Sequence, residues 1–333
     1  MVSGVNSYVR YKRESGAYTT HSIAGDSTWK VFGHGLKVTT SAKNNNKTVY
    51  GIGSRLPTAV VPGPFEATVD LDFKLSNPWW LRLLIGQAAT KTGAGPYSYY
   101  WLDTANENGV AAVTLPNDIT PFTIENGINL ATDSVRLFQG CFLKTASISA
   151  SVDTPEVDCR LSCDVRTITK GTAGIASQET DTESVFNFVQ GTLNLPNGTP
   201  LAGVQNFTMD FDNGTSMLRG LGSRFASGGT CAQMLMNLKA SMYFVADADV
   251  LDYLLGSTTA PAAAGGTETT LTMTFDNGLA TTLQRLISFK FTGVYVDDYS
   301  IEQAMENPLI DNWTPQPTLM TLVKALNNTS AEP

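Results

Sequence analysis

The chain has 333 residues, only 16% of them charged, with a net charge of -8. That acidic balance, without a basic cluster, argues against a nucleic-acid-binding surface, and no apolar run approaches the roughly 18 to 20 residues needed to span a bilayer. The charge is uneven: residues 1–170 carry 16 Lys and Arg against 14 Asp and Glu, whereas the remainder carries 6 against 16.

Residues 1–40 read as strands and an extended arm, with Tyr8–Lys12 and Trp29–Phe32 as the strand segments. Its first residues lack the apolar core of a secretion signal, which places synthesis and assembly in a cytoplasm. From Phe65 to Phe73 apolar residues alternate with Glu66, Thr68, Asp70 and Asp72, the period of a half-buried strand. Trp79 to Ile85 then reads as one short helix, opened by Asn77-Pro78 and closed by Gly86. Residues 87–135 form a Gly-, Asn- and Pro-rich excursion with a short strand at Tyr97–Trp101 and Asn-Gly turns at Asn108 and Asn126. Residues 136–169 read as a hairpin turning at Asp153-Thr154-Pro155. Its second arm carries the polar stripe Asp158, Arg160, Ser162, Asp164 and Arg166. Residues 170–184 read as a linker, followed by a strand at Val185–Val189 and a turn at Asn197-Gly198. Later come an Ala/Gly/Thr loop at 257–269, a strand at Leu271–Phe275, a turn at Asn277-Gly278 and one long strand or a strand pair between Leu286 and Tyr299. Residues 303–333, rich in Pro and Asn, read as a surface tail.

An internal repeat organises these elements. Residues 44–86 recur as 213–256: Asn44 matches Asn213, Gly51-Ile52-Gly53-Ser54-Arg55 matches Gly220-Leu221-Gly222-Ser223-Arg224, and Leu84-Ile85-Gly86 matches Leu254-Leu255-Gly256. The apolar phase of the strand persists while its polar residues change, with Lys239 at the place of Asp70 and Ser241 at that of Asp72. The expectation is an all-β chain of two tandem homologous domains, 1–172 and 173–333, with one short helix each. A duplicated unit points first to symmetric assembly. Gly51, Gly53, Gly220 and Gly222 are expected to shape a turn, and Arg55 and Arg224 to bridge to a carboxylate or carbonyl at an interface. Arg55→Ala is then expected to reduce polymerisation more than it lowers the melting temperature.

Enzymatic chemistry finds little support. Asp70 and Asp72 lie on one strand face about 7 Å apart, a spacing that glycosidases use, yet the second copy abandons both. Gly51-x-Gly53 lacks the third glycine of a dinucleotide loop. His21 and His34 are isolated in Gly/Ser/Thr-rich segments, and Trp79-Trp80 suits a core or contact surface better than a sugar platform. Cys159 and Cys163 share the apolar phase of one strand, which suits buried hydrophobes and not metal ligands. No catalytic, cofactor-binding or metal residue is expected.

Several motifs, in order, resemble the major tail tube proteins of tailed phages: Tyr8-Val9-Arg10 with Arg13-Glu14-Ser15-Gly16; Asn44-Asn45-Asn46 leading to Tyr50-Gly51-Ile52-Gly53-Ser54-Arg55 and the alternating strand; and Gly140-Cys141 leading through Ser147-Ile148-Ser149 into the hairpin. The second half lacks the Tyr-x-Arg opening and the Gly-Cys pair. The resemblance implies β-sandwich or half-barrel domains whose hairpins join across subunits into a tube that conducts DNA from capsid to host. Most rings of the family use six single-domain subunits, so a duplicated chain implies three chains per ring. It also implies partners among other tail proteins (tape measure, terminator, baseplate or tip), DNA passing without specific binding, and no membrane. The stripe at Asp158–Arg166 and the face of Glu66, Asp70 and Asp72 are separate lumen candidates, and loops 40–62, 87–135 and 257–269 are the stacking candidates. Other virion components (capsid, neck or baseplate) and a carbohydrate-binding or glycosidase β-sandwich are the alternatives.

Overall fold

The alternation seen in the sequence is realised along β5 (Glu66–Lys74), where Ala67, Val69, Leu71 and Phe73 are buried. Its repeat, β16 (Leu235–Tyr243), buries Leu238, Ala240 and Met242 in the same phase. Each is followed by one helix, α1 (Leu81–Ile85) and α2 (Val250–Leu255). Gly86 and Gly256 close them in the left-handed region at φ 89° and 70°, each N–H returning to the carbonyl four residues earlier, as a C-cap glycine does. The computed structural model describes residues 7–14, 18, 29–53, 55–93, 95–107, 111–128, 134–171, 181–195, 200–243, 250–257, 261–262, 266–279, 283–302 and 309–327. The turns expected at Asn108 and Asn197, His21 and most of the linker at 170–184 lie outside them.

One sheet runs through both halves. In the first half it places β2 (His34–Lys43), β5, β10 (Thr154–Val165) and β9 (Ser134–Ser151) side by side. In the second it places β13 (Val204–Asp212), β16, β19 (Ile310–Asn327) and β18 (Leu286–Glu302) in the matching order. The register repeats as well: Val38 faces Leu71 where Phe207 faces Ala240, a constant offset of 169. The halves join because β9 pairs along β13, with Ala146 opposite Phe211 and Ile148 opposite Met209.

A second layer covers the apolar face. In the first half it consists of β1 (Ser7–Arg13) and β8 (Phe122–Ile128) with the first part of β9 and β11 (Thr167–Gly171). In the second half, β12 (Gly191–Asn194) and β17 (Thr269–Asp276) pair along the first part of β18. Both long strands therefore pass from one layer to the other, each bending at a left-handed glycine: Gly140 at φ 62° and Gly293 at φ 61°. Short strands β6 (Thr90–Thr92) and β7 (Tyr97–Asp103) extend the excursion back onto the end of β19. Trp79, Trp80 and Trp101 are buried in the core between the layers, with Trp79 and Tyr99 edge to face at 5.1 Å. Trp79 and Trp80 thus offer no exposed sugar platform.

Three expectations need correction. Residues 310–327 are no surface tail; they form β19, which pairs with β18 along its length and buries Trp313, Val323 and Ala325. Pro315 and Pro317 mislead because proline removes a ladder donor, but β19 tolerates them. Among the described residues its other side is paired by β16 up to Trp313 and by β7 from Leu322, so the prolines fall in the gap. Asn126-Gly127 is not a turn but part of β8, where a Cβ on Gly127 would lie 2.2 Å from the Tyr8 ring. The strand expected at Val185–Val189 starts later, after a 3-10 turn at Phe188–Gln190 capped by Asn187.

Candidate assembly surfaces

Asp158, Arg160, Ser162 and Asp164 alternate along β10 with buried Cys159, Leu161 and Cys163, so they stand on the face away from the core. Their partners across β5 are Lys74, Asp72, Asp70 and Thr68 in that order. The two stripes separated by the sequence reading are therefore one polar surface. Lys74 Nζ pairs with Asp158 Oδ1 at 2.6 Å, Ser162 Oγ donates to Asp70 Oδ1 at 2.6 Å, and Arg160 Nε lies 3.5 Å from Asp72 Oδ1. The hydrogen bond to Asp158 raises the Lys74 pKa, and burial raises that of Asp164. The surface crosses the junction without a break: Ser147 stands opposite Arg160, and Asp210 opposite Ser147, joined by a 2.6 Å hydrogen bond. Arg166 leaves this stripe. It lies just past β10, donates from Nε to Ala226 O at 2.6 Å and covers the Tyr18 ring.

The two Gly-x-Gly-Ser-Arg elements tip two long loops. The first contains the hairpin β3 (Lys47–Tyr50) with β4 (Pro57–Val61); the second contains β14 (Ser216–Leu218) with β15 (Gly228–Thr230). Gly53 and Gly222 take φ 81° and 89°, with nothing within 4 Å of an added Cβ, so backbone conformation alone asks for glycine there. Gly51 and Gly220 are not left-handed. Arg224 donates from Nε to Gly63 O at 3.0 Å and from Nη2 to Asn44 Oδ1 at 2.7 Å, fastening the second loop to the base of the first. Arg55 makes no hydrogen bond or ion pair with the described residues, and its loop exposes Tyr50, Ile52, Leu56 and Val60.

Two strand edges stay open among the described residues. β2 pairs only with β5, and β18 from Tyr295 to Glu302 pairs only with β19. Unpaired edges invite a further strand.

Residues that the sequence reading met only as motif letters hold this frame. Glu14 is buried and its Oε1 accepts from Thr123 Oγ1 at 2.6 Å and from the Gly140 N–H at 2.7 Å, at the bend of β9. Tyr8 OH donates to Glu125 Oε1 at 2.7 Å, and Arg10 Nη2 pairs with the same oxygen at 2.9 Å. Glu183, at the end of the linker, accepts from Asn327 Nδ2 at 2.6 Å and pairs with Arg285 at 3.2 Å, while His34 Nε2 donates to its carbonyl at 2.6 Å. These bonds make His34 a structural residue and tie β2 and β19 to the linker's end. Such bonds join residues more than a hundred positions apart, so no local signal marks them. Among the described residues no cluster of His, Cys, Asp and Glu could hold a metal ion, and no helix is long and apolar enough to cross a membrane.

A chain of repeated β-sandwich halves, with one polar sheet face, paired loops and no cluster that could hold a metal ion among the described residues, has the build of a structural module. Residues 4–311 match the family described as phage tail tube protein, and the chain belongs to that family. It is a structural protein of the virion tail, in a family that is not enzymatic and that assembles with itself and with other tail proteins. No curated protein matches the chain.

Proposed function

We propose that three copies of this chain close a ring in which each half, 1–172 and 173–333, acts as one domain of a pseudo-six-fold tube, and that the ring conducts DNA past its polar sheet face. The junction of β9 with β13 inside the chain carries this reading, because it supplies a template for the junction between chains. Ala146 lies opposite Leu161, which faces Leu71; Tyr299 lies opposite Trp313, which faces Ala240. Tyr299 thus holds in the second half the place of Ala146 in the first. Ala42, 169 residues before Phe211, holds the place of Phe211. The open edge of β18 in one copy would then receive β2 of the next, with Ala42 opposite Tyr299, Thr40 opposite Ile301 and Lys43 opposite Asp298.

Closure of this kind removes both open edges. Each half contributes four strands to the shared sheet, so three chains would give a barrel of about 24, well beyond the roughly 16 to 18 that already leave an aqueous channel. A face on which Glu66, Asp70, Asp72, Asp158, Asp210 and Asp212 alternate with Lys37, Lys43, Lys74, Arg160 and Lys239 mixes both signs, so it offers a phosphate backbone no continuous basic track to grip. Rings stack through exposed loops, and the tube ends meet the tape measure, the terminator and the baseplate or tip.

Electron microscopy of the purified, polymerised protein tests this. Stacked rings of three chains with a pseudo-six-fold outline are expected. Rings of six chains would overturn three-chain closure.

A further inference from the structure

We propose that Arg55-Leu56 of one copy docks in a pocket between the two halves of a neighbouring copy, beside Asn213, Ala232 and Met234 of its second half, so that the first loop is a clasp within the ring; this rests on the three-chain reading above. The chain already contains one such clasp. Besides the two hydrogen bonds of Arg224, its carbonyl accepts from the Phe65 N–H at 2.9 Å, and Phe225 lies against Phe65 with ring centroids 5.7 Å apart. The receiving set is therefore Asn44, Gly63 and Phe65, and the inserted pair is Arg224-Phe225.

Moved along the repeat by 169 residues, the receiving set becomes Asn213, Ala232 and Met234. These three line a pocket of about 550 Å³ whose other walls include Leu115, Met236 and Leu319. The inserted pair, moved the other way, becomes Arg55-Leu56. Leu56 is 74% exposed and Ile52 is fully so, while Arg55 makes no polar contact with the described residues. An exposed Arg-Leu pair and a pocket thus stand at homologous places in one chain, with Asn213 buried at the pocket wall and its Nδ2 donating to Leu84 O and Leu143 O.

They do not meet within that chain: no described residue of the first loop lines the pocket. The second loop springs from β13 and reaches back over β9 and β10 to the β2–β5 end. The first springs from β2, the last strand on that side, so the same reach carries it beyond the sheet. From β5 to β16 is four strand steps in the opposite direction, about 19 Å. The occupant is a second copy, presented by the same strand pairing that would close the ring. Its guanidinium would meet Asn213 Oδ1, the Ala232 carbonyl and Asp118, whose Oδ1 lies 3.8 Å from Cys231 Sγ at the same pocket, and its leucine would meet the methionines.

Cys231 lines the pocket and is partly exposed, whereas Cys141, Cys159 and Cys163 are buried. The natural chain therefore carries its own probe. Iodoacetamide should alkylate Cys231 in the unassembled protein, and assembly should slow that reaction on the order of tenfold or more, since thiol reactivity follows access. Leu56→Cys with Met234→Cys in a Cys231→Ser chain should form inter-chain disulfides on oxidation of assembled tubes, ending at a covalent trimer. Tubes seen by microscopy in which Cys231 reacts at the unassembled rate and no inter-chain disulfide forms would overturn the clasp while leaving the three-chain ring intact. A disulfide ladder that runs to six chains would keep the docking but overturn the three-chain ring. Protein that forms no rings at all, with Cys231 equally reactive at every concentration, would overturn both.

Discussion

The carboxylate of Glu14 accepts a hydrogen bond from the backbone N–H of Gly140 at 2.7 Å, and this contact sits where β9 bends from the covering layer into the main sheet. The same oxygen holds Thr123 Oγ1, so one buried side chain ties β8 to the bend. Glu14→Ala is expected to cost about 3 kcal/mol, because it orphans a buried amide and a buried hydroxyl. Glu14→Gln, which keeps an acceptor, should cost clearly less. Urea denaturation of the unassembled protein measures both.

Gly293 makes the equivalent bend in β18, and a Cβ there would lie 1.8 Å from Thr318 Oγ1. Gly293→Ala therefore carries both a clash and an unfavourable left-handed backbone, expected to total about 3 kcal/mol. Adding Thr318→Ala should recover the steric share and leave about 1 kcal/mol from the backbone. Full recovery in the double variant would show that backbone conformation at this bend costs nothing.

Glu183 gives the stability a pH dependence of definite sign. Burial raises its carboxyl pKa, against the opposing pull of Asn327 and Arg285. The folded state therefore holds this proton more tightly than the unfolded chain, whose Glu titrates near 4.3. The contribution is fully present below about pH 4.3 and is lost as pH rises through the raised folded value. Glu183→Gln should flatten the fall in melting temperature across that window. An unchanged slope would assign the dependence to other carboxylates, such as Asp164, which burial also raises.

The inter-chain register sets Lys43 against Asp298. Like charges directly opposite one another weaken a strand pair, so Asp298→Lys, whose ladder partner within the chain is the neutral Thr314, should slow tube formation without lowering the melting temperature of the unassembled chain. Lys43→Glu with Asp298→Lys should restore assembly. Light scattering during polymerisation follows both, and a double variant as impaired as the single would sink this register.

Much of the fold was legible in the residues themselves. The alternation from Phe65 to Phe73, the glycine-closed helices, the hairpin through Asp153 and the 169-residue repeat are local or self-similar patterns, and local geometry dictates them. Period two puts Val69 and Leu71 on one face of any strand, and a left-handed C-cap favours Gly86 in any helix. The family resemblance rested on the same short segments.

What only the tertiary structure decided are relationships between distant residues. That Asp72 and Arg160 share one face follows from the pairing of β5 with β10, which neither segment encodes alone. That Pro315 and Pro317 sit inside a long strand depends on β16 and β7 leaving that side of it unpaired. That Arg224 is fastened while its twin Arg55 is exposed depends on which half has a neighbour within the chain. A linear pattern records what each residue prefers. Register and neighbourhood arise from packing the whole chain, and they separate two copies of one motif into a contact already made and a contact left open.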